Sequence, residues 1–575
     1  MGHTPRSVLL RTIAAVAAAG LVLTACGGSD DSNTTSAGTT TSTSGSASSS
    51  TVDGGGEAPG GGIVTGVGNE PANPLIPTNT TETGGGKILD LIFSGLVYYD
   101  AEGKPVNEVA DSIESTDGQN YTIKIKSGWT FTNGEPVTAS SFVDAWNFGA
   151  LVTNAQLNST FFSPIEGYDA VSACTTTDEE GTCTAPAPTA QTMSGLAVVS
   201  DTEFTVKLVS PQSDFPLRLG YSAYYPMAKA ALADPATYGE TPAGNGPYKI
   251  ESWEHNAQIK MVPNPDYKGE KVLQNGGVTL IFYTGYEPAY TDLLADNLDV
   301  IDSIPPNALA SFETDLGDRA VKQPYAGTTT LSIPVSLAHL GMDDEGRLRR
   351  QAISMAIDRD SIVSAIFTGT RTPAKDFTSP GLTGYSDTLP GNEVLTYNEE
   401  QAKALWAQAD AISPWSGSFG IGYNADGSHK EWVEATANSI KNVLGIDAVP
   451  NPIATFGDFR TQVVAGTLGT ANRAGWQADY PSVFNFLEPL YATGAGSNDA
   501  KYSNPDFDKL LVEGSSASSV DAGVASFQAA EAILFKDLPA IPLWYSTATG
   551  GYSTKVSNVT FDWHGVPIYY AVNKA

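Results

Sequence analysis

From Ile63 onward, apolar and polar positions alternate in two rhythms. Tyr121-Thr122-Ile123-Lys124-Ile125 and Phe204-Thr205-Val206-Lys207-Leu208 carry an apolar side chain at every second position, the period of a half-buried strand. Val278 to Phe282 is an apolar run that predicts a buried strand. Phe142, Ala145, Trp146 and Gly149 recur at i, i+3, i+4, i+7 behind Thr138 and Ser140, which predicts a capped helix. Ala402, Leu405, Trp406 and Ala409 repeat that spacing behind Asn398, with Gln401 placed for a capping box. Arg347 to Ala356 predicts a further helix, and Asp358-Arg359-Asp360 restarts a shorter one. Strands interleaved with helices, without an internal repeat, predict an α/β protein with several sheets.

The first 62 residues follow neither rhythm. Arg6 and Arg11 precede an apolar, Ala-rich stretch from Thr12 to Leu23 that is too short for a stable membrane span. It ends in Leu23-Thr24-Ala25-Cys26-Gly27, which resembles the lipobox of bacterial lipoproteins. Residues 1–25 therefore read as a lipoprotein signal peptide and Cys26 as the acylated mature N-terminus. An ordinary signal peptide with a chance cysteine is the alternative. Gly27 to Gly62 is mostly Gly, Ser, Thr and Asp and predicts a flexible linker, so 26–62 is lipid anchor plus linker. A linker of that length reaches roughly 30–36 Å.

Charge and composition narrow the function. The 31 Lys+Arg against 63 Asp+Glu, a net charge of −32, exclude a general nucleic-acid binder. A 41% hydrophobic fraction with 24 Tyr, 21 Phe and 9 Trp excludes a wholly disordered chain. Past the N-terminus no apolar run of about 18 residues predicts a second membrane span. GxSxG, HExxH, GxxxxGK and GxGxxG after a strand are all missing, and His3, His255, His339, His429 and His564 are scattered. An enzyme is not expected, and neither is a cofactor or a metal; a secreted hydrolase or an adhesin is a remote alternative. Cys174 and Cys183 lie in a Thr/Pro/Asp-rich stretch, as a local disulfide of an exported protein or as two free thiols.

Several blocks, in order, resemble the family-five solute-binding proteins of ABC importers, the peptide-binding class. They are Gly68-Asn69-Glu70-Pro71 with Leu91 to Val97, then YTIKIKSGWTFTNGEPV from Tyr121 to Val137. Asn245-Gly246-Pro247-Tyr248 with Asn264-Pro265-Asp266-Tyr267, RRQAISMAIDR from Arg349 to Arg359, and RAGWQADY from Arg473 to Tyr480 follow. The resemblance runs from about Ile63 to the C-terminus. It implies a periplasmic-binding-protein-like α/β fold: two mixed-sheet lobes joined by a hinge, an extra small domain, and a ligand between the lobes. Lobe I is then about 63–97, 193–321 and 543–575, domain II about 98–192, and lobe III about 322–542.

A receptor for peptides of varied sequence must rely on what all peptides share: backbone amides, an ammonium and a carboxylate. The resemblance places the ammonium on Asp479, where a turn-shaping Asp before Tyr480-Pro481 is the alternative. It places Arg473 and His429 near the peptide carboxylate, the alternatives being a surface ion pair and a solvated loop histidine. Trp476 fits a pocket wall or the core. Trp544 and Tyr545 sit near a ligand-contacting Tyr of relatives, and Phe456 stands for a Trp lining a side-chain pocket. Gln477 departs from the Cys of enteric relatives, and a pocket Arg of those relatives has no counterpart near Val464. The expected protein is a monomeric, lipid-anchored extracytoplasmic receptor that hands peptides to ABC permease subunits with their cytoplasmic ATPase. The alternative is the same fold binding a nickel chelate, haem, sugar or antibiotic.

Overall fold

A computed structural model of the chain describes residues 61–575 apart from 72, 178–182 and 426. The signal peptide, Cys26 and nearly all of the expected linker lie outside the described residues. Gly62, expected at the linker's end, belongs to the fold: its N–H donates to Lys574 O at 2.8 Å and its carbonyl accepts from Gly276 N at 3.1 Å.

Local signals place most elements where the periodicity expects them. Helix Ala139–Ala150 starts behind Thr138, whose backbone N–H donates to Ser141 Oγ at 3.1 Å, and it buries Phe142, Ala145, Trp146 and Gly149. A side chain at Gly149 would lie 2.5 Å from the Phe162 ring, so helix packing itself requires glycine there. Helix Glu399–Ile412 is capped by Asn398, which accepts from Gln401 N at 3.0 Å. The helix expected from Arg347 begins earlier, as Asp344–Met355, because Asp343 accepts from Gly346 N at 2.8 Å. Asp344 and Glu345 then suit the positive helix start. Helix Arg359–Phe367 follows, capped by Asp358.

One 11-stranded mixed sheet organises the described residues. Its first half holds Tyr248–Glu254, Gln258–Pro263, Gly277–Phe282, Ile63–Gly68 and Val300–Ile301. Its second half holds Ala471–Gln477, Ser418–Asn424, Asp447–Ile453 and the short Thr372–Pro373. Two long antiparallel strands, Ala320–Ser332 and Ala540–Tyr552, run through both halves. Their pairing slips between Pro324 and Thr328. Proline has no N–H for a ladder, so the interruption falls where the backbone can bend. These strands join two lobes, each a sheet half with its own helices and core.

A smaller four-stranded sheet stands apart, in the order Ala110–Glu114, Asn120–Ile125, Glu203–Lys207, Leu196–Ser200. Tyr121, Ile123, Phe204 and Val206 bury one face against Trp146 and Phe142 of helix Ala139–Ala150. The boundary expected at 192/193 therefore falls inside this unit, since the 196–200 and 203–207 strands pair onto 120–125 rather than onto the large sheet. Cys174 and Cys183 are joined by a disulfide, with Cα atoms 5.9 Å apart.

The resemblance blocks mostly serve this scaffold. Asn245 Oδ1 accepts from Ser94 N at 3.0 Å and its Nδ2 donates to Ser94 O at 2.9 Å. A side chain at Gly246 would lie 2.5 Å from the Ile92 and Phe93 backbone, so glycine lets this loop pack against the end of helix Thr83–Ile92. Arg349, Arg350 and Arg359 are buried under the second half of the sheet.

Candidate functional site: a strand edge ending on an enclosed carboxyl

Strand Ala471–Gln477 pairs antiparallel with the 320–332 strand along its length, from Ser332↔Asn472 to Gly327↔Gln477. On its other edge it meets the 418–424 strand only at Ala471 and Asn472. Among the described residues, no strand pairs the far edge of residues 473–477. Backbone amides on an unpaired edge are a template for an added strand.

That edge runs into Asp479. Its backbone N–H donates to Asn485 Oδ1 at 2.9 Å, and its Oδ2 accepts from Asn485 Nδ2 at 3.0 Å. Asn485 Oδ1 also accepts from Trp476 Nε1 at 3.1 Å, so one buried amide holds both predicted residues. Enclosure by protein pushes the Asp479 carboxyl up to about 6, with the Asn485 amide opposing the shift. No cation among the described residues adds to that balance. Among the described residues, the Asp479 carboxylate is met by that amide alone, across the turn 479–485. Burial holds the Tyr221 and Tyr99 hydroxyls protonated to high pH, and the neighbouring Asp479 and Asp90 add to that shift. His564 lies alongside: its Nε2 meets Ala478 O at 2.7 Å, and burial lowers its pKa to about 4. The ring is therefore neutral at pH 7 and donates from Nε2.

Arg473, Trp476 and Phe456 line one cavity of about 270 Å³, floored by Thr328, Thr330 and Ser332 of the neighbouring strand. Arg473 donates through Nε to Asn424 Oδ1 at 2.9 Å and through Nη2 to the same oxygen. Its guanidinium lies 5.2 Å from the Phe456 ring centre and 5.0 Å from that of Phe459. His429 precedes helix Lys430–Leu444 and accepts at Nδ1 from Trp432 Nε1 at 3.3 Å. A side chain at Gly427 would touch both His429 and the Asn424 amide, so Arg473 and His429 converge on the end of the 418–424 strand.

Trp544 and Tyr545 are not brought to this edge. Strand alternation sends them to opposite faces. Trp544 is 1% exposed and packs in the core on Trp432 at 5.2 Å and Phe367 at 5.0 Å. Tyr545 Oη accepts from Lys375 N at 3.0 Å and donates to Asp376 O at 3.4 Å, which ties a loop to the sheet. Cys26 lies outside the described residues. Sequence reasoning missed Asn485, Asp90, Tyr99, Tyr221 and His564, since none carries a periodic or motif signal.

Two lobes hinged by a pair of long strands, with a strand edge and an enclosed carboxyl between them, define a hinged solute-binding protein. The chain matches the model for bacterial extracellular solute-binding proteins, family 5 Middle, over residues 104–498. It belongs to that family. It is 25% identical over 493 residues to the oligopeptide-binding protein OppA of Bacillus subtilis, covering 83% of this chain and 86% of the relative. It is 27% identical over 487 residues to the periplasmic oligopeptide-binding protein OppA of Salmonella typhimurium, covering 81% and 84%. The solved structure of Burkholderia pseudomallei OppA superposes with a TM-score of 0.73 at 24% identity, over 90% of this chain and 99% of that one, which shows the shared fold.

Proposed function

We propose that the protein is a lipid-anchored extracytoplasmic receptor that captures peptides between its lobes and delivers them to an ABC import permease. The observation that carries this reading is the open 473–477 edge running into Asp479, a carboxyl enclosed without a cation. A peptide added along the edge would satisfy its backbone amides there, whatever its side chains. Its α-ammonium would then supply the charge that Asp479 lacks. Arg473 and His429 take the carboxylate end, and the cavity of about 270 Å³ at Phe456 and Trp476 takes a side chain. Names of relatives that bind oligopeptides support the cargo class, and Cys26 supplies the membrane attachment.

Calorimetry tests this directly, with a pool of free pentapeptides against the same pool N-acetylated. The free pool is expected to bind and the acetylated pool to lose most of its affinity; equal affinities would reject the ammonium site. Native mass spectrometry of the purified protein reads the cargo, and a co-purifying non-peptide solute would favour the alternative. Cys26→Ser is expected to free the protein from membranes, and retention after a high-salt wash would reject the lipid anchor.

A further inference from the structure

Segment 211–218 leaves the small four-stranded sheet and reaches the second lobe. It is anchored on its own side: Gln212 N donates to Gly118 O at 2.8 Å, and Tyr121 Oη donates to Gln212 O at 2.7 Å. Across the gap, Ser213 N donates to Ser515 O at 2.8 Å and Ser516 Oγ to Pro211 O at 3.3 Å. Arg218, at the end of the short helix Phe215–Arg218, completes the contact. Its Nη2 meets both oxygens of Asp214, at 3.2 and 3.4 Å, and its guanidinium lies 5.2 Å from the Tyr480 ring centre and 5.4 Å from that of Phe484. Arg218 and Asp214 are both buried, and Arg218 Nε has no hydrogen-bond partner. A guanidinium with an idle donor is held in place by the two rings it covers.

Those rings belong to particular positions. Tyr480 follows Asp479, and Phe484 precedes Asn485, the amide that grips both the backbone and the carboxylate of Asp479. Asn485 N donates to Ser482 O at 3.1 Å and Ser482 N to Tyr480 O at 2.8 Å, so 479–485 is one tight turn. Pressing on Tyr480 and Phe484 therefore presses on both ends of the fork around Asp479. We propose that Arg218 is the positioning residue of an interlobe latch, which docks on Tyr480 and Phe484 as the lobes close and sets the Asp479–Asn485 turn for the ligand. The positioning half of this inference rests on the reading of Asp479 as an ammonium site; the latch half stands on the contacts alone. Opening the lobes would leave the Arg218–Asp214 pair and both rings to water, so the contact favours the closed state and its loss is read first in ligand release.

Arg218→Lys keeps the charge and the Asp214 partner but loses the planar stack, and Phe484→Leu removes one ring while staying apolar. Dyes on Val198→Cys and Val512→Cys, both exposed and on opposite sides of the gap, report closure by energy transfer in the full-length protein. Each substitution is expected to lower the closed population and to speed release of the pentapeptide pool by about 5–30-fold. The double variant is expected to release little faster than either single one, because both remove the same contact. Unfolding temperatures without ligand are expected to stay within a degree or two of each other. Wild-type energy transfer and release in both variants, or fully multiplicative effects, would overturn the latch. A fall in unfolding temperature that tracks the release rate would make Arg218 a purely structural residue and overturn it as well. If the wild-type protein binds no peptide, the peptide reading fails, and energy transfer in the ligand-free protein still decides the latch.

Discussion

Arg350 and Asp479 are both charged side chains shielded by protein, one inside its lobe and the other facing the gap between lobes, and their surroundings differ. Arg350 donates to Leu340 O, Ile333 O and Leu538 O, the first through Nε at 2.9 Å and the other two through Nη1 at 2.9 Å each. Arg359 does the same for Pro542 O at 3.0 Å and Ser354 O at 3.1 Å. Arg349 lies between Trp406 and Trp415, 4.5 and 5.2 Å from their ring centres, and pairs with Glu345 and Asp410. Every one of these guanidinium groups is committed to helices, loops and strands of its own lobe. Asp479 has one amide. A buried charge whose partners are internal holds the fold together. An enclosed charge short of a partner carries a desolvation cost that a ligand of opposite charge can relieve.

The sharpest way to break that contrast is to remove the committed charge. Arg350→Met leaves three carbonyls without their donors at once and is expected to destabilise the protein by about 3–5 kcal/mol. Urea unfolding measures it, while the folded fraction should bind peptides with wild-type affinity. An Arg350 variant of normal stability that binds poorly would reverse the two roles.

Asp479→Asn is expected to do the opposite. Peptide affinity should fall by about two to four orders of magnitude, since the ammonium is then buried without a counter-ion. Unfolding temperature without ligand should hold or rise slightly, because the uncompensated charge is gone. N-acetylation of the peptide should cost the mutant little more, and additive losses would remove Asp479 from the site.

A smaller effect sharpens the electrostatic side. With the Asp479 carboxyl at about 6 in the free protein, its ionised fraction drops about tenfold between pH 7 and pH 5. Peptide affinity should follow that drop in the wild type and stay flat in Asp479→Asn. The stability sign runs the other way. The folded-state pKa lies above the ordinary carboxylate value, so the folded protein holds this proton more tightly than the unfolded chain. The contribution is fully present below about pH 4 and is lost as pH rises through about 6. Melting of the ligand-free protein across that window, compared with the Asn variant, isolates it.

Tyr545 tests the boundary between the two regions and should give the smallest change. Tyr545→Phe loses one hydroxyl that accepts from Lys375 N and donates to Asp376 O, about 1 kcal/mol of stability by thermal unfolding. Its peptide affinity should move by less than about twofold. A large loss of affinity would carry Tyr545 from the scaffold into the cleft.

Much of the scaffold was legible one segment at a time. Period and caps located the helix behind Thr138, the helix behind Asn398 and the strands at Tyr121, Phe204 and Val278, because burial of one face and satisfaction of helix ends are local demands. The start of the helix before Arg347 was read three residues late, since Asp343 caps through a residue with no apolar signal of its own. The small sheet was cut short because pairing of 196–207 onto 120–125 is a long-range choice. At the candidate site, Asp479, Arg473 and Trp476 were singled out only by the family resemblance of the block that contains them; spacing alone left Asp479 as a turn residue. The sequence was silent on Asn485, which acts across a turn, and on Arg218, which acts across the gap between lobes. It also put Trp544 and Tyr545 together, where the strand sends one to the core and the other to a loop. Side-chain type and spacing determine which local structure forms. Which enclosed charge is left without a partner depends on what the other lobe and the far strands bring to it, and only the tertiary structure decides that.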